Sequence, residues 1–361
     1  MIPGPRPEIG RLVPPEHGGR FALGVSGWGL LDFSTTVHAY GPPARVREAV
    51  AQCNLDEYPD PHAAGFCAGL AERFNLPTGL VMAGNGSVEL LRLVGLAYIR
   101  QRDPVVVVGP TFEEYRMAAE IMGGEVHEIR AHGFGSARPD VQFILDAVRR
   151  LRPCVTFLCN PNNPTGTYWD AAEVQALLRA CHPGLLVVDG AFQAFVESAW
   201  DPLLLVKEGP ILLIRSMTKD HAMAGLRLGY AIGAPSILEP LRRAQTPWGV
   251  SAPAQAAGLA ALEDRDYLLR VMATVRRDTR ELVSALRAAG YQPEVGATHF
   301  FLLRVEDGRQ ATQALHAQGF LVRLCGSFGL SHHIRISPRR PPENESLVRA
   351  VSALQTPARA L

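Results

Sequence analysis

The chain has 361 residues, enough for two domains at roughly 100–200 residues each. Apolar residues make up 47% and charged residues 20%, a globular composition that excludes a disordered tail, a fibre and a small disulfide scaffold. Lys and Arg total 36 against 35 Asp and Glu, so no overall basic field attracts nucleic acid or an anionic membrane, and any anion must bind at a local site.

The first 45 residues are rich in Pro and Gly, which predicts an extended arm with one short strand near residues 30–33. A helix is predicted from Pro43, and another is predicted to start near residue 86. From residue 105 onward, strands and helices alternate, which predicts βαβ units and a mainly parallel sheet. The predicted strands are 105–108, 125–129, 155–158, 185–188, 211–214 and 228–232, and the helices between them are 112–122, 141–151 and 171–181.

A long helical stretch over residues 252–289 leads to a shorter α+β pattern. Its predicted strands are 299–305, 321–324 and 334–337, with helices at 311–318 and 345–354. We therefore predict an arm (1–45), a large α/β domain (46–245), and a connecting helix with a small α+β domain (246–361). Ligands of such parallel sheets bind beyond the carboxyl ends of the strands.

The cysteines and the first residues indicate in which cellular compartment the protein is found. The six cysteines form no C-x-x-C pair and no zinc-ligand spacing, so we expect reduced thiols and no metal site. No apolar run reaches the roughly 18 residues that span a membrane, and the first residues carry Pro and charge where a signal peptide is apolar. We expect a cytoplasmic protein that binds small molecules, and neither nucleic acid nor membrane.

Lys219 follows the apolar run 211–214, at the end of a predicted strand. A desolvated Lys amine loses its proton more readily and becomes a nucleophile that can form a Schiff base, although a Lys in this position can also be a solvated loop charge.

Arg227, eight residues after Lys219, has small and apolar neighbours and needs an anion. The planar guanidinium of Arg227 can bind a phosphate through two parallel hydrogen bonds, with Ser216 and Thr218 adding hydroxyl donors. A core carboxylate is the alternative partner.

Three further motifs follow predicted strands or open helices. Asp189 ends the buried run 185–188, where a carboxylate is costly unless it caps a helix or meets a cation such as a protonated pyridine nitrogen. The string 160–166 holds Asn163 between two X-Pro steps, so its amide can donate to a phenolic oxygen. The run 84–87 exposes backbone N–H groups to an anion, or forms a tight turn. Together the motifs indicate pyridoxal phosphate.

The strings 216–230 and 160–166 resemble those of the class I/II aminotransferases. Within that family they are similar to the branch of histidinol-phosphate aminotransferase and threonine-phosphate decarboxylase. The resemblance extends from about residue 17 to residue 354. It implies an aspartate-aminotransferase-like α/β fold (the type I fold of pyridoxal-phosphate enzymes), pyridoxal phosphate as cofactor, and a homodimer with shared active sites.

The resemblance also implies roles for individual residues. Lys219 would hold the cofactor as a Schiff base and shuttle the substrate proton, and Asp189 would pair with the pyridine nitrogen. The other cofactor contacts would be made by Asn163, by Phe112 stacking on the ring, by Gly86, Ser87, Val88, Ser216, Thr218 and Arg227 around the phosphate, and by Tyr58 of the neighbouring subunit. Arg335 would bind the substrate carboxylate and Arg323 a distal anion, and His38 and Tyr40 are candidates from the pocket loop 36–40.

The sequence leaves the activity open within this branch. The segment 17–19, Phe192 and the string 325–330 are closer to the decarboxylase, whereas Arg20, loop 36–40, Gly190 and the pair Asp220-His221 depart from the family pattern. Both reactions use the same cofactor residues and differ in the placement of the substrate carboxylate. We expect first an aminotransferase for a small amino acid or amino phosphate. The alternatives are the L-threonine-O-3-phosphate decarboxylase of corrin biosynthesis, a non-catalytic cofactor-binding regulator, and another pyridoxal-phosphate chemistry.

Overall fold

The computed structural model describes residues 4–19, 29–130 and 140–354. The strands in chain order are β1 (Leu31–Asp32), β2 (Val81–Asn85), β3 (Pro104–Gly109), β4 (Glu125–Arg130), β5 (Val155–Cys159), β6 (Leu185–Asp189), β7 (Ile211–Ser216), β8 (Leu228–Gly233), β9 (Pro293–Val295), β10 (Phe301–Arg304), β11 (Phe320–Leu321), β12 (Arg323–Leu324) and β13 (His333–Ile336). The helices are α1 (Pro7–Gly10), α2 (Ala44–Gln52), α3 (Ala64–Phe74), α4 (Gly86–Tyr98), α5 (Glu114–Glu120), α6 (Val141–Leu151), α7 (Ala171–Cys181), α8 (Met217–Asp220), α9 (Pro235–Ala244), α10 (Ala252–Glu263), α11 (Arg265–Ala288), α12 (Gly308–Ala317) and α13 (Pro341–Ser352).

A seven-stranded sheet in the order β2-β8-β7-β6-β5-β3-β4 forms the centre of the larger part. Strand β8 runs antiparallel to both neighbours, and the other neighbouring pairs are parallel. Strands β5 and β6 are buried along their whole length, as expected for parallel strands covered by helices on both faces. The predicted α/β class with a mainly parallel sheet is confirmed.

Two apolar clusters pack against the two faces of this sheet. Val106 and Val108 of β3 belong to one cluster, and Val105 and Val107 belong to the other. This alternation follows from the period of two in a strand, and it explains why the whole run 105–108 is apolar. Each buried side chain of this size contributes about 1.5–3 kcal/mol.

A four-stranded antiparallel sheet, in the order β12-β13-β10-β9, forms the smaller part. It has its own apolar cluster, built with side chains from α11, α12 and α13. The arm reaches this part through β1, which pairs in parallel with β11 and sets Leu31 opposite Phe320. The predicted strand 321–324 is therefore two short strands, because β11 pairs with the arm while β12 pairs with β13.

Other elements differ from their predictions. The helical stretch 252–289 is two helices, because Asp264 caps α11 by accepting from the backbone N of Tyr267. The helix predicted over 112–122 is shorter, and α3, β2, α9 and β9 had no counterpart in the prediction. The division of the chain at residue 245 falls between α9 and α10 and stays a prediction. In the part of the chain described, no helix has the length and apolar character needed to cross a bilayer.

Candidate active site

A cavity of about 310 Å³ opens where the parallel strands of the large sheet end. Strands β5 and β6 contribute their last residues to it, Cys159 and Asp189, and β12 and β13 contribute two arginines from the small sheet. The topology therefore places side chains from both parts around one space. The cavity brings together these predicted site residues: Ser87, Phe112, Asn163, Asp189, Thr218, Lys219, Arg227, Arg323 and Arg335.

Lys219 lies on the short helix α8, directly after β7. Its Nζ donates to Ser216 Oγ at 3.3 Å, and this hydroxyl also lies 2.7 Å from Thr218 Oγ1. Burial lowers the pKa of the Lys219 amine, and the negative charge of Asp189 opposes this effect. The amine therefore loses its proton more readily than a solvated Lys does, which favours a nucleophile or a base.

Asp189 ends β6 and is 3% exposed. Its Oδ2 accepts from the hydroxyl of Tyr115 at 2.9 Å, and its Oδ1 accepts from the backbone N of Ala191 at 2.9 Å. Burial, followed by the nearby Asp189 charge, raises the pKa of Tyr115, so Tyr115 stays protonated and donates. A carboxylate has about four acceptor positions, so Asp189 can also accept from a cationic N–H in the cavity.

Arg227 lies against Gly86, the first residue of α4. Both residues have a positive φ, of 56° and 74°, and a Cβ at Gly86 would lie 2.9 Å from Arg227 Nη2. Arg227 Nη1 donates to the carbonyl O of Ala224 at 2.9 Å. The guanidinium, Ser87 and Thr218 all line the cavity, so a cation and two hydroxyls can bind one phosphate there.

Arg323 and Arg335 lie directly opposite each other on β12 and β13. Both are buried, at 3% and 5% exposed. Arg335 donates to the side-chain oxygen of Asn163 and, at 2.7 Å, to the carbonyl O of Ser34, whereas its buried Nε has no hydrogen-bond partner among the described residues. Burial lowers the pKa of Arg335 to about 10, and the Arg323 charge acts in the same direction. Like charges directly opposite each other are destabilising, so the pair is suited to an anion.

Four other predicted site residues lie outside the lining of the cavity. Gly86 contacts Arg227, and Ser216 supports Lys219 from below the cavity surface. Val88 is half-buried in α4. Tyr58 is 81% exposed, and its ring stacks on Trp248 with centroids 4.7 Å apart.

His38 and Tyr40 are not placed on the cavity, in contrast to the prediction. The His38 ring is buried, with Nε2 3.0 Å from the carbonyl O of Asp220, and Tyr40 donates to Asp278. These contacts engage both side chains outside the lining of the cavity and fix the position of loop 36–40. Only Thr36 and Val37 of this loop line the cavity. Arg20, the departure from the family pattern in the arm, lies outside the described residues.

The cavity also contains residues that the sequence did not assign to it. Tyr115 lies in the apolar face of α5, and its hydroxyl contact with Asp189 is a long-range one. Glu16 and Gly18 of the arm and Ser34 line the cavity as well. His17 and Gly18 were singled out only through the family resemblance of the segment 17–19, and both line the cavity. Across the three described ranges, no three His, Cys, Asp or Glu side chains are grouped to hold a metal ion.

His299 anchors the pocket loop, because its Nε2 lies 3.0 Å from the carbonyl O of Thr36. Burial lowers the pKa of His299 from 6.5 to about 3, so the folded state resists a proton that the unfolded state accepts. The stability that depends on neutral His299 is fully present above pH 6.5, and it is lost as the pH falls from 6.5 toward 3. Between pH 6 and pH 4, the wild type is expected to lose about 2 kcal/mol more unfolding free energy than His299→Gln, which keeps a donor to Thr36. Urea unfolding of both proteins measures this difference, and equal pH slopes would contradict it.

Comparisons with known proteins agree with this geometry. Residues 29–351 match the family model described as aminotransferase class I and II. The chain is 38% identical, over 331 residues and 90% of both chains, to a histidinol-phosphate aminotransferase of Symbiobacterium thermophilum. The structure of histidinol-phosphate aminotransferase from Sinorhizobium meliloti in complex with pyridoxal-5'-phosphate superposes with a TM-score of 0.86, at 25% identity and 96% coverage of both chains.

The decarboxylase alternative has a weaker match. The structure of L-threonine-O-3-phosphate decarboxylase from Porphyromonas gingivalis superposes with a TM-score of 0.77 at 24% identity, covering 89% of this chain and 98% of that one. At this identity the likeness shows a shared fold only. The family match and the curated relative instead favour amino-group transfer. The chain therefore belongs to the class I and II aminotransferases, and it is a pyridoxal-phosphate-dependent transferase.

Proposed function

We propose that this protein transfers the amino group of L-histidinol phosphate to a 2-oxo acid. The observation that carries the proposal is the pair of buried arginines, Arg323 and Arg335, directly opposite each other on the cavity that also holds Lys219. A phosphate, with up to two negative charges, suits two neighbouring guanidinium groups better than a neutral side chain does. The name of the Symbiobacterium thermophilum relative supports the same substrate.

The residues around the cavity fit the cofactor. When bound, pyridoxal phosphate supplies an electron sink that stabilises negative charge at the substrate Cα. Lys219 Nζ takes the Cα proton and returns it, because burial favours its uncharged form. Asp189, fixed by Tyr115 and Ala191, would balance positive charge on the ring nitrogen.

The remaining residues would position the cofactor. The phosphate would be held by Arg227 with Ser87, Thr218 and Ser216 and with the backbone at Gly86 and Val88. Phe112 would stack on the ring. The Asn163 oxygen is engaged by Arg335, which leaves its amide NH₂ to donate to the phenolic oxygen. Arg335 would therefore connect the substrate anion to a cofactor contact.

The contact between Gly86 and Arg227 predicts a sensitive position. Gly86→Ala is expected to weaken pyridoxal phosphate binding about 5- to 30-fold, because the new methyl group, 2.9 Å from Arg227 Nη2, displaces the guanidinium from the phosphate. The positive φ of residue 86 adds about 1–2 kcal/mol of strain, which lowers the stability of the fold. Gly79→Ala is the matched control, since a Cβ there meets nothing within 4 Å. Titration of the apoenzyme with the cofactor gives both dissociation constants. An unchanged constant for Gly86→Ala would place the phosphate elsewhere.

Removing the phosphate from the substrate tests the proposed function. With a 2-oxo acid as acceptor, kcat/KM is expected to fall about 10²- to 10⁴-fold from L-histidinol phosphate to L-histidinol, because the charge-assisted hydrogen bonds of the phosphate to Arg323 and Arg335 are lost. Amino-acid product measured by chromatography reports both rates. Equal values for the two amines, or carbon dioxide released from L-threonine phosphate with no amino transfer, would contradict the proposal.

A homodimer is part of the same proposal. The exposed Tyr58 ring, stacked on Trp248, could reach the phosphate of a partner subunit but does not approach the cavity of its own chain. A cytoplasmic location is supported by the six cysteines, which are all free thiols. Neither point is needed for the chemistry at Lys219.

A further inference from the structure

Glu16 of the arm lies against Arg323. Arg323 Nη2 donates to the carbonyl O of Glu16 and to Ser327 Oγ, both at 2.8 Å, and Nη1 lies 3.5 Å from Glu16 Oε2. The Arg323 side chain is 3% exposed, whereas that of Glu16 is 64% exposed. The ion pair therefore joins a fixed, buried cation to a carboxylate that solvent can reach.

The arm stays in place without the Glu16 carboxylate. The backbone N of Glu16 donates to Glu113 Oε2 at 3.1 Å, its carbonyl O accepts from Arg323, and the backbone N of Gly19 donates to Ser34 Oγ at 2.7 Å. The carboxylate contact at 3.5 Å is the longest of these and is at the limit of a hydrogen bond. The side chain can therefore move while the backbone stays fixed.

Glu16 also has space to move into. It lines the active-site cavity and a second cavity of about 450 Å³ formed between arm residues and α5. Arg11, on the wall of this second cavity, is a cation that the carboxylate would approach there. Glu113 lies on the same wall and carries the same charge as Glu16. This repulsion disfavours the displaced position of the Glu16 carboxylate in the second cavity.

We propose that Glu16 is a displaceable counter-ion of Arg323 that determines which distal groups the active-site cavity accepts. The proposal rests on the proposed function, because an aminotransferase admits two different amino compounds to one cavity in turn. A distal carboxylate competes with Glu16 for Arg323 and displaces it. A distal group with an N–H donor, such as an imidazole, leaves Glu16 in place and donates to its carboxylate.

Opposite effects on the two kinds of ligand follow from this exchange. With Glu16 in place, the charge of Arg323 is balanced, and an incoming carboxylate must replace an existing partner. Without the Glu16 charge, the cavity around Arg323 and Arg335 is more positive, although Glu113 still interacts with Arg323, and anions bind more tightly. An imidazole then loses its acceptor.

Glu16→Gln tests the proposal, since it removes the charge and keeps the backbone contacts. Calorimetric titration of the holoenzyme with succinate is expected to give a dissociation constant about 3- to 10-fold lower in the variant, in line with the small strength of a solvent-exposed ion pair. The KM for L-glutamate should fall by a similar factor, whereas the KM for L-histidinol, which carries the imidazole without a competing phosphate, should rise. The kcat for L-glutamate should stay within about twofold. Glu120→Gln is the matched control, because Glu120 lines the second cavity but pairs with Arg116.

Two results would overturn the proposal. An unchanged succinate dissociation constant would mean that Glu16 does not compete for Arg323. A shift of both KM values in the same direction would mean that Glu16 only holds the arm in place. If the wild type does not react with L-histidinol phosphate, the proposed function fails, and the succinate titration still decides the role of Glu16.

Discussion

Replacement of Lys219 by Ala is expected to lower kcat at least about 10³-fold and to abolish the visible absorbance of the bound cofactor. The reason is that one amine supplies both the nucleophile that holds the cofactor and the base that moves the Cα proton. Lys219 Nζ is the lysine amine on the cavity, and burial lowers its pKa. Absorbance spectra and single-turnover rates of the variant measure both effects.

The chain provides an unusually clean control for this prediction. Lys207 and Lys219 are its only lysines, and Lys207 is exposed at the end of the 3-10 turn Pro202–Lys207. Borohydride reduction of the holoenzyme should therefore attach the cofactor to the peptide that contains Lys219 and to no other, and Lys207→Ala should behave as the wild type. Visible absorbance that persists in Lys219→Ala, or a label on Lys207, would contradict the assignment.

Arg335→Ala is expected to lower kcat/KM about 30- to 5000-fold, mainly through KM, because a buried charge that pairs with the substrate anion contributes about 2–5 kcal/mol. The substitution also removes the donor to Asn163 and the donor to the Ser34 carbonyl. Arg335→Lys should recover only part of the loss, since an ammonium group cannot form the two-pronged contact of a guanidinium. Steady-state kinetics over a range of substrate concentrations separates KM from kcat.

Arg304→Ala is the control for Arg335, because Arg304 lies on the adjacent strand β10 and is exposed. Thermal unfolding of all three variants shows whether the fold is kept, so that a loss of activity can be assigned to the site. An Arg335→Ala enzyme with an unaltered KM would mean that the substrate anion binds elsewhere in the cavity.

The large sheet could be predicted because each of its parallel strands is marked locally. Runs such as 105–108 and 185–188 are apolar throughout, and the residues that end them, such as Asp189, fall at the carboxyl edge by topology alone. Strand β2 was missed because its sequence, VMAGN, ends in small and polar residues. The break at Asp264 was missed because the helical pattern continues on both sides of it.

The contents of the site were less predictable, because they depend on contacts far apart in the sequence. His38 contacts Asp220 across 182 positions of the sequence, Tyr40 contacts Asp278 across 238, and neither lines the cavity. The arm brings Glu16 to Arg323 across 307 positions. These long-range contacts leave no local sequence pattern, so they could not be predicted. The residues at strand ends and in the loop 160–166 could be predicted, because their positions are set by the residues next to them in the sequence.

The central claim, amino transfer from a phosphorylated amine through Lys219, is tested most directly by one single-turnover absorbance scan. The holoenzyme is mixed with L-histidinol phosphate and no 2-oxo acid. We expect the visible absorbance of the cofactor to disappear and to return when a 2-oxo acid is added, because the amino group is first kept by the enzyme and then passed on. An absorbance that does not change with this amine, and that persists with L-threonine phosphate while carbon dioxide is released, would contradict the claim.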